Sequence, residues 1–335
     1  MNALQGLPEQ VLSLIRSASV CEFATVSGAG VPIDTPTLCF HPDDLRSIDM
    51  ATGLAYPAKA ERARRNPKVG LLIEGKLPGE PIISVAGVAK VRDGDIQANT
   101  LRYIDETSSG PAVSVPWPVA REAVWYWCRI LISVQPKRIL WWDSASALDG
   151  PPQAWEAPAD RIYEPSDPAP PGKTSEAPHW PQTPWPELAA GALAKGMAGH
   201  LTLFDGEGYP LPFRASDIQL TPEGFTMKVP AGAPWAGGGK ATLSFEGLAT
   251  FVGSATRYGS EAVLLVERAL PVLPLTGGGE LWGPRPGTRE ALMGRLTHEL
   301  DRRGQGIPAI PSEKPAPTPG AMARAARLSR LMAGS

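Results

Sequence analysis

The chain has 335 residues, 43% of them apolar and 20% charged, with a net charge of −2 and a pI near 6.1. That length holds about two domains, and that apolar fraction allows packed cores and excludes global disorder. The charge lacks the basic excess of a nucleic-acid-binding protein.

Leu7, Val11, Leu12, Leu14 and Ile15 form a rough apolar face behind Pro8, which predicts a short helix within 7–19. Phe23–Val26 reads as a strand, Ser27–Gly30 as a turn, Pro32–Phe40 as a second strand and Leu45–Ala51 as a third. Ala58–Arg65 reads as a short helix. Asn66-Pro67 ends it, because the residue before a proline is pushed out of helical geometry. Val69–Glu74 and Ile82–Val91 are strands joined by a turn at Lys76–Gly79. Thr100–Glu106 and Pro118–Trp127 look helical. Arg129–Val134 and Arg138–Trp142 close the unit as strands around Gln135-Pro136.

Residues 144–187 are rich in proline and carry Trp155, Trp180 and Trp185, which predicts an extended connector packed on a neighbouring surface. A second set of elements follows. Leu188–Met197 is a short helix, and Val263–Leu275 a closing strand. Thr288–Arg303 is a helix with Leu292, Leu296 and Leu300 on one face and Gly304 as its C-cap. Residues 305–335 are proline-rich and then basic, with at most a small helix at Ala321–Met332; a flexible tail is expected.

The most informative feature is a repeat. Glu22-Phe-Ala-Thr-Val-Ser-Gly-Ala-Gly-Val-Pro32 matches His200-Leu-Thr-Leu-Phe-Asp-Gly-Glu-Gly-Tyr-Pro210 in length, glycine placement and closing proline. Lys68–Gly75 likewise matches Lys240–Gly247. Between Gly53 and Lys68 lie 14 residues; between Gly232 and Lys240 lie seven. The seven missing residues fall where the first copy carries the basic segment Lys59–Pro67.

Other patterns are quieter. Cys21, Cys39 and Cys128 are far apart and read as free thiols rather than a disulfide framework or zinc site. The four histidines have no paired spacing, so no metal site is expected. No apolar run approaches the ~20 residues of a membrane span. Met1–Arg16 lacks the pattern of a signal peptide. A cytoplasmic protein without membrane or nucleic-acid partners is expected. Gly237-Gly-Gly-Lys240 lacks the spacing of a phosphate loop, and Gly277–Gly279 reads as a turn. Trp125-Tyr-Trp127 and Trp141-Trp142 read as packing residues.

The order of strand, turn, strand, Met50-Ala-Thr-Gly53, Lys59 and Asn66-Pro-Lys-Val-Gly-Leu-Leu72 resembles the pyridoxamine 5'-phosphate oxidase-like split β-barrel superfamily. The resemblance covers residues 10–143 well and 190–275 weakly. It implies a mainly β fold with short helices, built as two split β-barrels in tandem. Residues 1–143 would be the first barrel, 144–187 the connector and 188–304 a degenerate second barrel with a C-terminal helix; 305–335 would be the tail. It implies an FMN-dependent oxidoreductase acting on a small-molecule substrate. Lys59 would hold the flavin phosphate, helped by the Thr52 hydroxyl and the Arg62 cation. A lysine at the start of a short helix combines a point charge with free backbone donors. Thr35 and Thr37 would lie on the strand along the flavin ring. The family's barrels pair as homodimers, so here the second unit would act as the partner within one chain, an intramolecular pseudo-dimer. Arg214 stands near the place of Pro36, and Trp235 stands in the shortened loop, where it would fill the vacated site.

Oxidases of the family place a serine and an arginine just before the lysine; here Pro57 and Ala58 stand there. Relatives in the fold use the deazaflavin F420 or haem, the latter pointing to His41 or His200. A binding protein without catalysis is the reading from another class. No side chain stands out as a general acid or base.

Overall fold

The computed structural model describes residues 3–108, 113, 115–175, 183–246, 249–270, 282 and 286–333. Strand alternation builds the first barrel. On β1 (Val20–Val26), Phe23 is opposite Thr35 of β2 (Pro32–Phe40) on one side and Leu71 of β4 (Lys68–Glu74) on the other. Cys21 and Phe23 therefore face the barrel interior with Val69, Leu71 and Ile73, and Glu22 and Ala24 face out. Strands β3 (Ile48–Gly53), β5 (Ile82–Arg92) and β6 (Arg129–Trp142) complete the order β3-β2-β1-β4-β5-β6, and β3 pairs with β6 to close it.

The second barrel repeats this order. Strands β8 (Gly199–Phe204), β9 (Pro210–Thr221), β10 (Gly224–Lys228), β11 (Gly239–Phe245), β12 (Ala249–Tyr258) and β13 (Glu261–Ala269) close as β10-β13-β12-β11-β8-β9. Each strand has its counterpart: β1 with β8, β2 with β9, and so on to β6 with β13. The expected architecture, two split barrels in tandem, is present. Strand β7 (Gln153–Glu156), in the connector, pairs with the outer half of β6 and places Trp155, whose indole donates to the Gln5 carbonyl at 2.9 Å.

The two barrels pack face to face about a pseudo-twofold axis. Strand β4 contacts β9, and β11 contacts β2; β5 contacts β9, and β12 contacts β2. Under the strand correspondence each pair is one contact read in two directions. At Gly70 on β4 the backbones meet so closely that a Cβ would lie 1.7 Å from the Pro210 carbonyl oxygen of β9.

Eight helices are described: α1 (Glu9–Ser17), α2 (Ala58–Arg65), α3 (Ile96–Thr107), α4 (Trp117–Ala120), α5 (Val124–Trp127), α6 (Trp185–Ala194), α7 (Pro286–Arg302) and α8 (Pro319–Ala333). Helix α3 starts four residues before its expected beginning because Asp95 caps it, accepting from the Ala98 amide at 2.8 Å. The third strand starts at Ile48 rather than Leu45, whose φ of 52° lies in the left-handed region. Gln135-Pro136 does not split β6. A register shift opposite Ala86 and Gly87 absorbs the proline within one strand. Trp180, residues 271–275 of the closing strand and Gly277–Gly279 lie outside the described residues.

Two segments sit elsewhere than the sequence grouped them. Helix α7, assigned with the second unit, packs on the first: Leu292, Leu296 and Leu300 join the first barrel's core. Trp282, four residues before the helix, joins the same core, 4.9 Å from Tyr126 and 5.7 Å from Trp127. The tail, expected to be flexible, carries α8, which ion pairs hold to the first unit. Arg327 reaches Glu80 at 2.6 Å, and Arg324 pairs with Glu106. The three cysteines are buried free thiols. No described helix is long and apolar enough to cross a membrane.

Gly70→Ala is expected to lose about 1–3 kcal/mol or more in urea unfolding, because its methyl group meets backbone that cannot yield. Gly191→Ala, within α6 and with nothing within 4 Å of its Cβ, is expected to gain about 0.5–1 kcal/mol.

Candidate functional site

Helix α2 lies against the first barrel with two different faces. Its back face is tied down by ions: Arg64 bonds Asp93 at 2.7 Å, Asp93 bonds Arg303 at 2.9 Å, and Arg303 bonds the fully buried Glu299 at 2.6 Å. Its front face sends two cations toward the threonines of β1 and β2. Lys59 Nζ donates to Thr37 Oγ1 at 2.5 Å, and Arg62 Nε donates to Thr25 Oγ1 at 2.8 Å. The Thr37 hydroxyl in turn donates to the Thr35 carbonyl at 3.1 Å, and Thr35 Oγ1 is enclosed without a partner.

The structure therefore brings Lys59, Arg62, Thr35 and Thr37 together. It turns Thr52 elsewhere: that hydroxyl donates to the Tyr56 carbonyl at 3.4 Å, within the β3–α2 turn. Thr25 was missed by sequence reasoning, because a strand threonine with no motif around it carries no signal.

Lys59 and Arg62 have no carboxylate ion-pair partner among the described residues. Burial, then the charge of Arg62, lowers the Lys59 ammonium to about 8. Burial, then Arg65, lowers Arg62 to about 10. Each shift says that the charged form is under-compensated where it sits. An anion would relieve it. The helix adds to this, since no side chain caps its N-terminus at Pro57.

The second barrel treats the same place differently. Trp235, in the loop that replaces α2, donates its indole N–H to the Leu211 carbonyl at 2.7 Å and stacks edge-on to Phe213 at 5.5 Å. By the repeat, Phe213 stands where Thr35 does. An apolar plug thus takes the position of the two cations.

The seam between the barrels holds a buried titratable cluster. His200 Nε2 lies 3.1 Å from Glu74 Oε2, and its Nδ1 lies 3.7 Å from Glu22 Oε1. Asp34 lies on the same face of the β1–β2 ladder as Glu22, and the two buried carboxyl groups share a hydrogen bond. Burial and then the charge of Asp34 raise Glu22 to about 9, and burial raises Asp34 to about 7. Burial alone would raise Glu74, yet the hydrogen bond and charge of His200 hold it below its usual range. Burial likewise opposes charging His200, yet Glu74 and Glu22 raise it. Arg214, exposed on β9, adds a positive charge near Glu74 and His200. The one available signal for this cluster was alignment of the repeat, which puts Glu22 and His200 at the same place. His41 has both ring nitrogens engaged, on the Pro42 and Arg16 carbonyls at 3.0 and 3.2 Å.

No protein-family model matches the chain, and no curated protein does. Among solved structures, the chain is similar to a putative pyridoxamine 5'-phosphate oxidase from Listeria innocua, at 23% identity over 41% of this chain and 98% of that one, with a TM-score of 0.30. It is similar to an F420 reductase at 19% identity, over 40% of this chain and 98% of that one, with a TM-score of 0.31. It is also similar to a pyridoxamine 5'-phosphate oxidase-related, FMN-binding protein from Nostoc punctiforme, at 13% identity over 41% and 85%, with a TM-score of 0.31.

The seam makes stability depend on pH. Glu22 goes from an ordinary 4.5 to about 9 on folding, so its contribution is complete below 4.5 and is lost as pH rises toward 9. Asp34 and His200, also raised, act in the same direction, and Glu74, lowered, acts oppositely at acid pH. Melting temperature is expected to fall between pH 5 and pH 9, and Glu22→Gln to flatten that fall. An equal slope in the variant would rule out Glu22 as the titrating group.

Proposed function

We propose that the chain is an FMN-binding oxidoreductase that takes one flavin, with its phosphate on Lys59 and Arg62. The observation that carries this reading is the pair of cations on α2 that the fold buries beside hydroxyl groups and leaves without carboxylates. A phosphate supplies the missing charge, and the uncapped start of α2 supplies backbone donors. Arg64, two residues beyond Arg62 and on the opposite face of α2, is neutralised by Asp93 and serves to hold the helix. Threonine hydroxyls at Thr25, Thr35 and Thr37 complete the polar surface. The bound flavin supplies the redox chemistry, and the protein supplies anchoring and orientation. The second barrel, plugged by Trp235, is the built-in partner across the seam. The substrate is a small molecule.

FMN titration followed by flavin fluorescence is expected to saturate at about one equivalent per chain, since only one barrel carries the cations. Lys59→Ala is expected to weaken binding roughly ten- to hundredfold, the equivalent of one charge-assisted hydrogen bond. Affinity is expected to decline as pH rises through about 8, where Lys59 gives up its proton. A Lys59→Ala protein that binds FMN as tightly as the parent would overturn the assignment.

A further inference from the structure

At the seam, on the outer face of the first barrel, lies a cavity of about 320 Å³ that the flavin reading does not use. Its floor is Glu22, Glu74 and His200, its apolar wall includes Leu72 of β4, and Leu328 and Leu331 of α8 form its roof. That volume is within the range of small-molecule sites. Lys59 and Arg62 bond to threonines on the inner face of the β1–β2 ladder, whereas Glu22 is on its outer face, so the two places are separate.

We propose that this cavity binds a compact primary amine, its ammonium group on Glu22 and its alkyl part beneath α8. Glu22 is only 7% exposed; its carboxyl shares a hydrogen bond with that of Asp34, its Oε2 is enclosed without an N–H donor, and His200 Nδ1 stays at 3.7 Å, beyond hydrogen-bond reach. A buried pair of carboxyl groups that must share one proton is costly, and an N–H donor lowers the cost. The surrounding charge favours a cation. Glu22 is faced by Asp34 of β2, Glu74 of β4 and His200 of β8, with Lys59 of α2 on the opposite face of the ladder and Arg214 of β9, exposed, acting on Glu74 and His200 rather than on Glu22. At the rim, Glu246 and Lys76 offset each other, and Arg327 is already neutralised by Glu80. Among the described residues no group of three or more His, Cys, Asp or Glu is arranged to hold a metal ion, which points to an organic cation. The apolar roof favours an alkyl chain over a bare ammonium ion.

Binding has a proton signature. Glu22 carries a proton at neutral pH because burial raises it to about 9; an ammonium beside it favours the carboxylate, and the proton passes to the buffer. The probe is n-butylammonium, titrated calorimetrically at pH 7 in two buffers of different ionisation enthalpy, with propionate and butanol as controls. The expected result is saturable binding with release of up to about one proton per ligand. Glu22→Gln, which cannot ionise, is expected to bind about tenfold or more weakly and to release none. Leu328→Trp, which fills the cavity from the roof without touching the acids, is expected to lose binding too and decides the matter if the first variant fails to fold. Absence of saturable binding by the parent, undiminished binding by either folded variant, or tighter binding of propionate with proton uptake would each sink the proposal.

Discussion

Glu22 and His200 occupy the same position in two copies of one fold, and they meet at the seam with Glu74 beside them. In a symmetric pair of identical barrels, a position near the axis faces itself, so an acid meets an acid and a base meets a base. Joining the copies in one chain removed that restriction. An imidazole now lies between two carboxyl groups, where burial makes each charge depend on its neighbours. The backbone contact at Gly70 and Pro210 holds the faces close enough for this to happen. Both barrels are positioned by that interface, and the functional surfaces follow from it.

The same divergence shapes the ends of the barrels. In the first, a short helix is tied down on one side by the Arg64, Asp93, Arg303 and Glu299 ions, which frees Lys59 and Arg62 on the other. Buried ion networks add little net stability but specify geometry when every partner is satisfied. In the second, loss of the helix leaves a gap that Trp235 closes with an aromatic contact and a hydrogen bond. One end keeps two cations against hydroxyl groups, and the other keeps Arg257 over the Trp235 ring with its donors spent on backbone carbonyls. The two barrels are thus equivalent as scaffolds and inequivalent as sites.

Much of this was legible beforehand. Strand alternation located β1, β2, β4 and β5, and the Asn66-Pro67 stop placed the end of α2 at Arg65. Lys59 was identifiable because its basic segment is missing from the second copy. Thr52 was not placed correctly in relation to Lys59, because a strand-end hydroxyl has no directional signal until the β3–α2 turn is built. Helix α7 showed its leucine stripe but not its destination, since an amphipathic face does not say which apolar surface it covers. The segment of α8 reads as part of a flexible basic tail, whereas Glu80 and Glu106, more than 200 residues earlier in the chain, hold its arginines.

The sequence by itself determined the duplicated strand pattern, the tandem barrels and the cationic helix α2 that one copy has and the other lacks, because periodicity and local stop signals act over a few residues. Only the tertiary structure decided which charges are left uncompensated. Lys59 turns to hydroxyls and Arg64 to a carboxylate, although both belong to one eight-residue helix. Glu74 finds His200 across 126 residues of chain. Electrostatic environment depends on burial and on partners brought from afar, and neither is a property of a local stretch of sequence.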